Sequence, residues 1–457
     1  VTPVSISAAQ PIRRWNTLAV LKGTRTAILA LDVLLLLAVV LGTQVHRAAM
    51  QTVGKDTAPT IVDAQRLKSA LADMDANAAN ELLGPAGAAT PAAARYDARR
   101  VESSEALIEA AKNTLKGSAG QAPIMTLQVT TGTYERLVQE ALDLDEAAQP
   151  ELAMRYYRHA GLMMDYALLP AADQLDQAKD AVLERTYKYE GLRSFGTRAL
   201  LVLSGLLLLA ALAGAQMFLA RRMRRTFNPA LLAATVAALW LTTTSFAGMG
   251  GEERHLKIVK QDAFTSIRAL WRARAAAYSA RGDESRYLLD PLHAADYEVD
   301  FAERTRLLVN LPPATSPDQA VAAAERGDTP LEFTGYLAEE LNNITFPGER
   351  DAALQTLAAF ERYMAIDGQI RQLERAGRHQ EAVSLCLGTL EGQSGWAFEQ
   401  FDAALRTTLD INQAAFDQSV KQGFDAVGNL EIEACVAAVA IAVLTVIGLA
   451  GRIREYQ

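Results

Sequence analysis

Four apolar runs constrain this chain more than any other feature in it. Thr26–Val45, Ala199–Ala220, Pro229–Gly250 and Ala434–Gly451 are each roughly 18–22 residues long and nearly free of charge. A helix rises about 1.5 Å per residue, so about 20 residues cross a hydrocarbon core of about 30 Å. Read as spans (26–45, 199–220, 229–250 and 434–451), they leave two large polar blocks, 46–198 and 251–433. The rest is an amino-terminal tail (1–25), a short loop (221–228) and a carboxyl tail (452–457). Each block is long enough to be a domain of its own.

The net charge of -8 hides a sharp partition. Arg13, Arg14, Lys22 and Arg25 precede the first span, and Arg221, Arg222, Arg224 and Arg225 fill the loop. Arg452 and Arg454 follow the fourth span, and Glu455 is the lone acid set against these ten basic residues. Basic residues flanking spans are retained on the cytoplasmic side. Both tails and the loop are therefore expected inside, in the plasma (inner) membrane, with both blocks outside. The basic loop either fixes this topology or also touches anionic lipid or a cytoplasmic protein. The first block carries 17 basic against 21 acidic residues and the second 18 against 30, which argues against nucleic acid as a partner. The first run is too long for a cleaved signal peptide and is expected to stay as a span. Cys386 and Cys435 offer no disulfide framework and are expected to be free and buried.

Both blocks read as almost all helix, because Ala, Leu, Glu, Arg and Gln dominate with apolar residues three and four apart. The first predicts helices over Ile61–Leu83, Ala93–Leu115, Ile124–Glu146 and Glu151–Ser194, with a bend or restart at Pro170. The second predicts Arg254–Ala280, a break at Arg281–Pro291, then Leu292–Asn310. An insertion near 311–347 with short helices follows, then Glu349–Arg375, Gln380–Leu390 and a long helix from Ser394 into the fourth span. The expected fold class is all-α: four transmembrane helices with two extracytoplasmic helical bundles, in a tandem span–bundle–span repeat. Short matches accompany the layout: Tyr96–Glu102 resembles Tyr297–Glu303, and Thr133–Leu137 resembles Ala359–Tyr363.

Few constellations suggest chemistry. His46, His159, His255, His293 and His379 form no metal pair at helical spacing, and no HExxH, CxxC, Walker loop or GxSxG occurs. No catalytic residue, metal or cofactor is assigned, and the chain is expected not to be an enzyme. Asp32 lies inside the first span, where an unpaired acid is costly. Gln216, Thr235 and Thr445 fall at matched depth, so the four are expected either as one polar layer or with Asp32 reaching water or Arg25. Ala434, Ala438 and Ala442, with Ala210 and Gly214, form small-residue stripes that suit a four-span bundle or a homodimer seam. Arg268, Arg272 and Arg274, beside Trp271, are candidate contacts for a small carboxylate, the alternative being a solvated face with local ion pairs. Gly392–Trp396 reads as a capped turn opening a helix, the alternative being a contact surface at the membrane-distal tip.

A span, a helical bundle and a returning span resemble the sensory half of chemoreceptors and histidine kinases. Two stretches, Leu168-Leu169-Pro170-Ala171-Ala172-Asp173 and Asp410-Ile411-Asn412-Gln413-Ala414-Ala415-Phe416-Asp417, resemble the actinobacterial family of GlnX-type membrane proteins. That resemblance implies a non-enzymatic relay that couples a GlnH-like amino-acid-binding lipoprotein outside to a PknG-like serine/threonine kinase inside. Membrane lipids and these two proteins are then the expected partners. A direct small-molecule sensor and an envelope scaffold are the alternatives.

Overall fold

A computed structural model describes residues 17–87, 90–114, 116–223, 228–313, 317–326, 331 and 333–454. Arg13, Arg14, Arg224, Arg225 and Glu455 lie outside the described residues, as does the side chain of Arg222. The fold is all-α, and its only strand-like pairing among the described residues is a single bridge between Asn310 and Thr334. The elements are α1 (Thr17–Met50), α2 (Ala58–Leu83), α3 (Pro91–Lys112), α4 (Gln121–Glu146) and α5 (Pro150–Met163). They continue with α6 (Leu169–Met223), α7 (Pro229–Lys257), α8 (Phe264–Leu289), α9 (Ala294–Leu308) and α10 (Pro317–Arg326). The last five are α11 (Tyr336–Asn342), α12 (Glu349–Arg375), α13 (His379–Leu387), α14 (Ser394–Val427) and α15 (Leu430–Arg454).

Four stretches are long and apolar enough to cross a membrane: Leu18–Leu83, Pro150–Arg221, Pro229–Leu289 and Ser394–Arg454. In each, the apolar run is only part of a longer rod. Wide π-helical turns at Gln51–Thr57, Met164–Leu168 and Ile258–Ala263 join α1 to α2, α5 to α6 and α7 to α8 without ending the helix. The bend expected at Pro170 falls at this π turn, which ends two residues earlier and takes up the change of helix register where Pro170 has no N–H to donate. The fourth rod is interrupted, contrary to the expected unbroken helix, at Gly428–Asn429. The carbonyl of Gly428 accepts from Arg47 Nη2 at 3.2 Å.

The chain divides into two compact units. The first gathers the spans: Val1–Met50, Lys188–His255 and Gln422–Gln457. Its core is Ile28, Leu35, Leu201, Leu208, Leu231, Leu241 and Ile441, while Val33, Leu37, Leu206, Val236, Trp240 and Val443 point outward and give the unit an apolar surface suited to lipid. Small residues set the spacing. A Cβ on Gly248 would lie 2.9 Å from the carbonyl oxygen of Ala426, and one on Gly205 would lie 2.6 Å from Thr242. Ala434 and Ala438 are buried within this unit, so their stripe is used internally, whereas Ala210 and Gly214 face outward. Cys435 is exposed on α15, not buried as expected, because it sits on the same outward side as Ile432 and Val436; Cys386 is free and buried.

The second unit is Gln51–Tyr187 with Leu256–Lys421. The two polar blocks, expected as separate bundles, therefore pack as one body. Its centre is the pair α2 and α8. Small residues bring them together: a Cβ on Gly282 would touch the Ala76 Cα at 3.6 Å. Each central helix folds back on a hairpin partner, α3 on α2 and α9 on α8. The break expected at Arg281–Pro291 is displaced: Arg281–Leu289 are helical and the chain turns at Asp290–His293 instead. Gly282 is tolerated there because α2 passes where its side chain would be.

Candidate functional site

A helix buried on every side is normally apolar all round. α2 and α8 are buried on every side over Ser69–Asn80 and Ala273–Leu288, yet they carry Asp73, Asp75, Asn77, Asn80, Arg274, Arg281, Asp283, Glu284 and Arg286. A buried charge is tolerated only where a partner meets it. Arg286 pairs with Asp75, donates to Asp283 Oδ1 at 2.7 Å and to the Tyr157 hydroxyl at 3.2 Å. The Tyr134 hydroxyl donates to Asp75 Oδ1 at 2.9 Å. Arg158 forks onto Asp290 with two bonds of 2.7 Å, and Arg304 reaches Asp165 at 2.7 Å and Asp283 at 3.0 Å. Each of these links, Tyr134–Asp75, Arg286–Asp283 and Arg304–Asp283 apart, joins the first block to the second.

A second node lies on the other side of α8. Ser394 Oγ sits 2.9 Å from both oxygens of Glu284, and Arg371 Nε donates to Asp367 Oδ2 at 2.8 Å while its guanidinium lies between the rings of Tyr287 and Phe301. Burial, then the nearby Asp367 carboxylate, pushes Glu284 up to about 8.

The candidate carboxylate contacts are divided by the structure. Arg268 and Arg272 each donate to Asp176 Oδ2 at 2.8 Å, and Arg268 also meets Asp180 at 2.9 Å. Burial alone would raise Asp176; the two arginines outweigh it and hold its carboxyl below the usual range. Both border a cavity of about 160 Å³; each bonds those acids, while Arg268 Nε is buried with no hydrogen-bond partner among the described residues. Arg274 points elsewhere, with Nε on Asp402 Oδ1 at 2.7 Å.

Asp402 belongs to a larger cavity of about 320 Å³. α2 supplies Asp73, α3 supplies Arg95 and Arg99, α8 supplies Tyr278 and Arg281, and α14 supplies Phe398, Glu399, Asp402 and Arg406. Most of these charges are paired: Arg95 with Glu399, Arg99 with Asp73 at 2.9 Å, and Arg406 with Asp402 at 2.8 Å. Burial would raise Asp402, but Arg274 and Arg406 hold it low. Burial does win at Asp73, whose carboxyl is pushed up despite Arg99, Arg281 and Arg274. Arg281 makes no hydrogen bond or ion pair with any described residue; its guanidinium rests 4.6 Å from the Phe398 ring centroid. None of Arg95, Arg99, Arg281 or Arg406 was expected as a contact. The signal was present in the spacing: Arg95, Arg99 and Glu102 share one face of α3, and Glu399, Asp402 and Arg406 share one face of α14.

Among the spans, Gln216 Nε2 reaches Thr235 Oγ1 at 3.3 Å, which joins two of the four expected layer residues. Asp32 and Thr445 are buried in the same unit but their Oδ1 and Oγ1 atoms have no hydrogen-bond partner among the described residues. Another polar group ties three of the rods. His46 Nδ1 pairs with Glu252, and Ser194 Oγ lies 3.3 Å from His46 Nε2. With Nδ1–H facing the carboxylate, Nε2 accepts from the serine. All three are buried, and the arrangement fastens α1, α6 and α7. Asn228, at the end of the basic loop, caps α7 through Ala230 N at 3.1 Å and donates to the Gly448 carbonyl at 2.7 Å. Arg221 is exposed at the end of α6. Among the described residues no group of three or more His, Cys, Asp or Glu is placed to hold a metal ion.

Residues 49–188 match the family of actinobacterial sensor domains. The match takes in α2 to α5 and the part of α6 before the second span, so it supplies Asp73, Asp75, Arg95, Arg99, Tyr134 and Tyr157 of the site. No curated protein and no solved structure matches the chain. The chain is thus similar over this stretch to an actinobacterial sensor protein, with four helices able to span a membrane.

Proposed function

We propose that this chain is a non-enzymatic transmembrane signal relay with its polar unit outside the cell. In this reading a GlnH-like amino-acid-binding lipoprotein docks outside, and a PknG-like serine/threonine kinase reads the tails and the Arg221–Asn228 loop inside. The observation that carries the proposal is helix continuity. Leu18–Leu83 is one helical stretch of 66 residues, with its apolar run in its first half and buried charge in its second. A small translation or rotation of one part of such a rod moves the other. The sensor-domain match supports a sensing role, and the ten basic residues beside the span ends support the orientation. Affinity purification with crosslinking from native membranes tests the partners: recovery of a lipoprotein and a kinase is expected, and recovery of neither removes the relay. Protease shaving of intact cells tests orientation; sparing of both polar blocks inverts it.

A second reading, direct sensing by the polar unit, is favoured by the cavity of about 320 Å³ and its uncommitted arginine. Calorimetry on the purified full-length chain distinguishes the two, since direct sensing requires binding with no lipoprotein present.

A further inference from the structure

We propose that the cavity among α2, α3, α8 and α14 binds a small organic carboxylate of net charge −1, anchored by Arg281. The proposal rests on the direct-sensing reading and names the ligand class for it. Arg281 is only 9% exposed; the Asp73 and Glu284 carboxyls act on it through space, but none meets its N–H donors, which is costly for a cation so enclosed. Its flat face is covered by Phe398, which leaves its edge N–H donors for a planar acceptor. The neighbouring guanidinium groups are already matched, Arg95 by Glu399, Arg99 by Asp73 and Arg406 by Asp402.

Charge balance limits the ligand. The lining holds four arginines (95, 99, 281 and 406) against three acids (73, 399 and 402), and adding the partners behind it, Arg274 on Asp402 and Glu102 on Arg99, keeps the excess at one positive charge. That excess rejects cations. The three acids repel phosphate and other groups that concentrate negative charge. A volume of about 320 Å³ is at the low end for small-molecule sites, which selects a metabolite-sized acid. A ligand ammonium would find Glu399 or Asp402 nearby, so an amino acid of net charge −1 and a hydroxy acid share this chemistry. The site joins helices of both blocks, so occupancy would tie α3 of the first to α8 and α14 of the second.

The test is titration calorimetry of the full-length chain in lipid nanodiscs with L-lactate, L-glutamate, succinate, glycinamide and inorganic phosphate. Lactate or glutamate is expected to bind more tightly than succinate or phosphate, and glycinamide not at all. Binding by glutamate alone assigns a role to the ligand ammonium; binding by both assigns it to the carboxylate. Arg281→Gln is expected to weaken binding about 10- to 100-fold, the worth of one charge-assisted hydrogen bond. Because Arg281 is buried, Glu399→Gln at the rim provides a second variant: removing an acid should tighten carboxylates and improve succinate most. Carboxylate binding unaffected by both variants overturns this site while leaving direct sensing in place elsewhere. Preference for glycinamide overturns the ligand class. No heat with any probe overturns both the site and direct sensing, and leaves the lipoprotein-mediated relay.

Discussion

In the span unit the side chains buried between helices are Ile28, Leu35, Leu208, Leu241 and Ile441, with Asp32, Thr43, Ser204, Ser245 and Thr445 as scattered polar exceptions and the His46–Ser194–Glu252 group as its one buried charged cluster among the described residues. In the polar unit α2 and α8 are at least as deeply buried, yet they hide Asp73, Asp75, Arg274, Arg281, Asp283, Glu284 and Arg286. An apolar seam shifted by one turn loses some contact area. A charged seam shifted by one turn strands every ion in it. The spans are therefore held by shape, and the polar unit by register. In the proposed relay, a signal meets a part that slides at modest cost and a part that moves only between defined pairings.

The widest test of this contrast is to remove one ion. Asp75→Ala leaves the Arg286 guanidinium enclosed without its α2 partner, and a loss of about 3–5 kcal/mol is expected in denaturant unfolding. The double change Asp75→Leu with Arg286→Met should recover much of that loss. If it is as damaging as the single change, charge is not what the seam depends on. In the span unit the matching test is steric. Gly248→Leu drives a side chain toward the Ala426 carbonyl, at 2.9 Å from the Cβ position, and a cost of about 1–3 kcal/mol is expected by thermal unfolding in detergent.

The pH dependence should come from the polar unit. Glu284 is held protonated well above its ordinary value of 4.5, up to about 8, chiefly by burial. A raised carboxyl contributes stability that is full below about pH 4.5 and is lost as pH climbs through about 8. Tm should therefore fall over that interval, and Glu284→Gln should flatten the profile; an unchanged slope would place the titration elsewhere, with Glu340, also pushed up to about 8, next in line. The smallest effect is expected in the spans. Asp32→Leu removes a buried carboxyl whose Oδ1 has no described partner, so stability should change by no more than about 1 kcal/mol. If that variant also assembles and signals normally, the polar layer with Gln216, Thr235 and Thr445 has no role.

Helix positions were legible in the sequence because apolar spacing and Pro or Gly punctuation are local. Glu349–Arg375 agrees with its expected bounds, and α2, α3 and α4 start within three residues of theirs. The failures are tertiary. Arg281–Leu289 resembled a turn because a glycine and four charges stand together, and the passage of α2 beside Gly282 gives that stretch its place as a helix. The cavity was hidden for the same reason: Arg95 and Arg99 look like a solvated face until Asp73 and Glu399, far off in sequence, arrive opposite them. Arg268 and Arg272 were visible as cations at a helix seam, but not the acids that hold them.

The stretch that matches a sensor domain ends at residue 188, but its folding does not. Asp75, Tyr157 and Arg158 find their mates at Arg286 and Asp290, a hundred or more positions downstream. A fragment cut at the family boundary would carry these groups into solution with nothing to satisfy them. The homology border marks where kinship is detectable; the self-sufficient piece is whatever contains both halves.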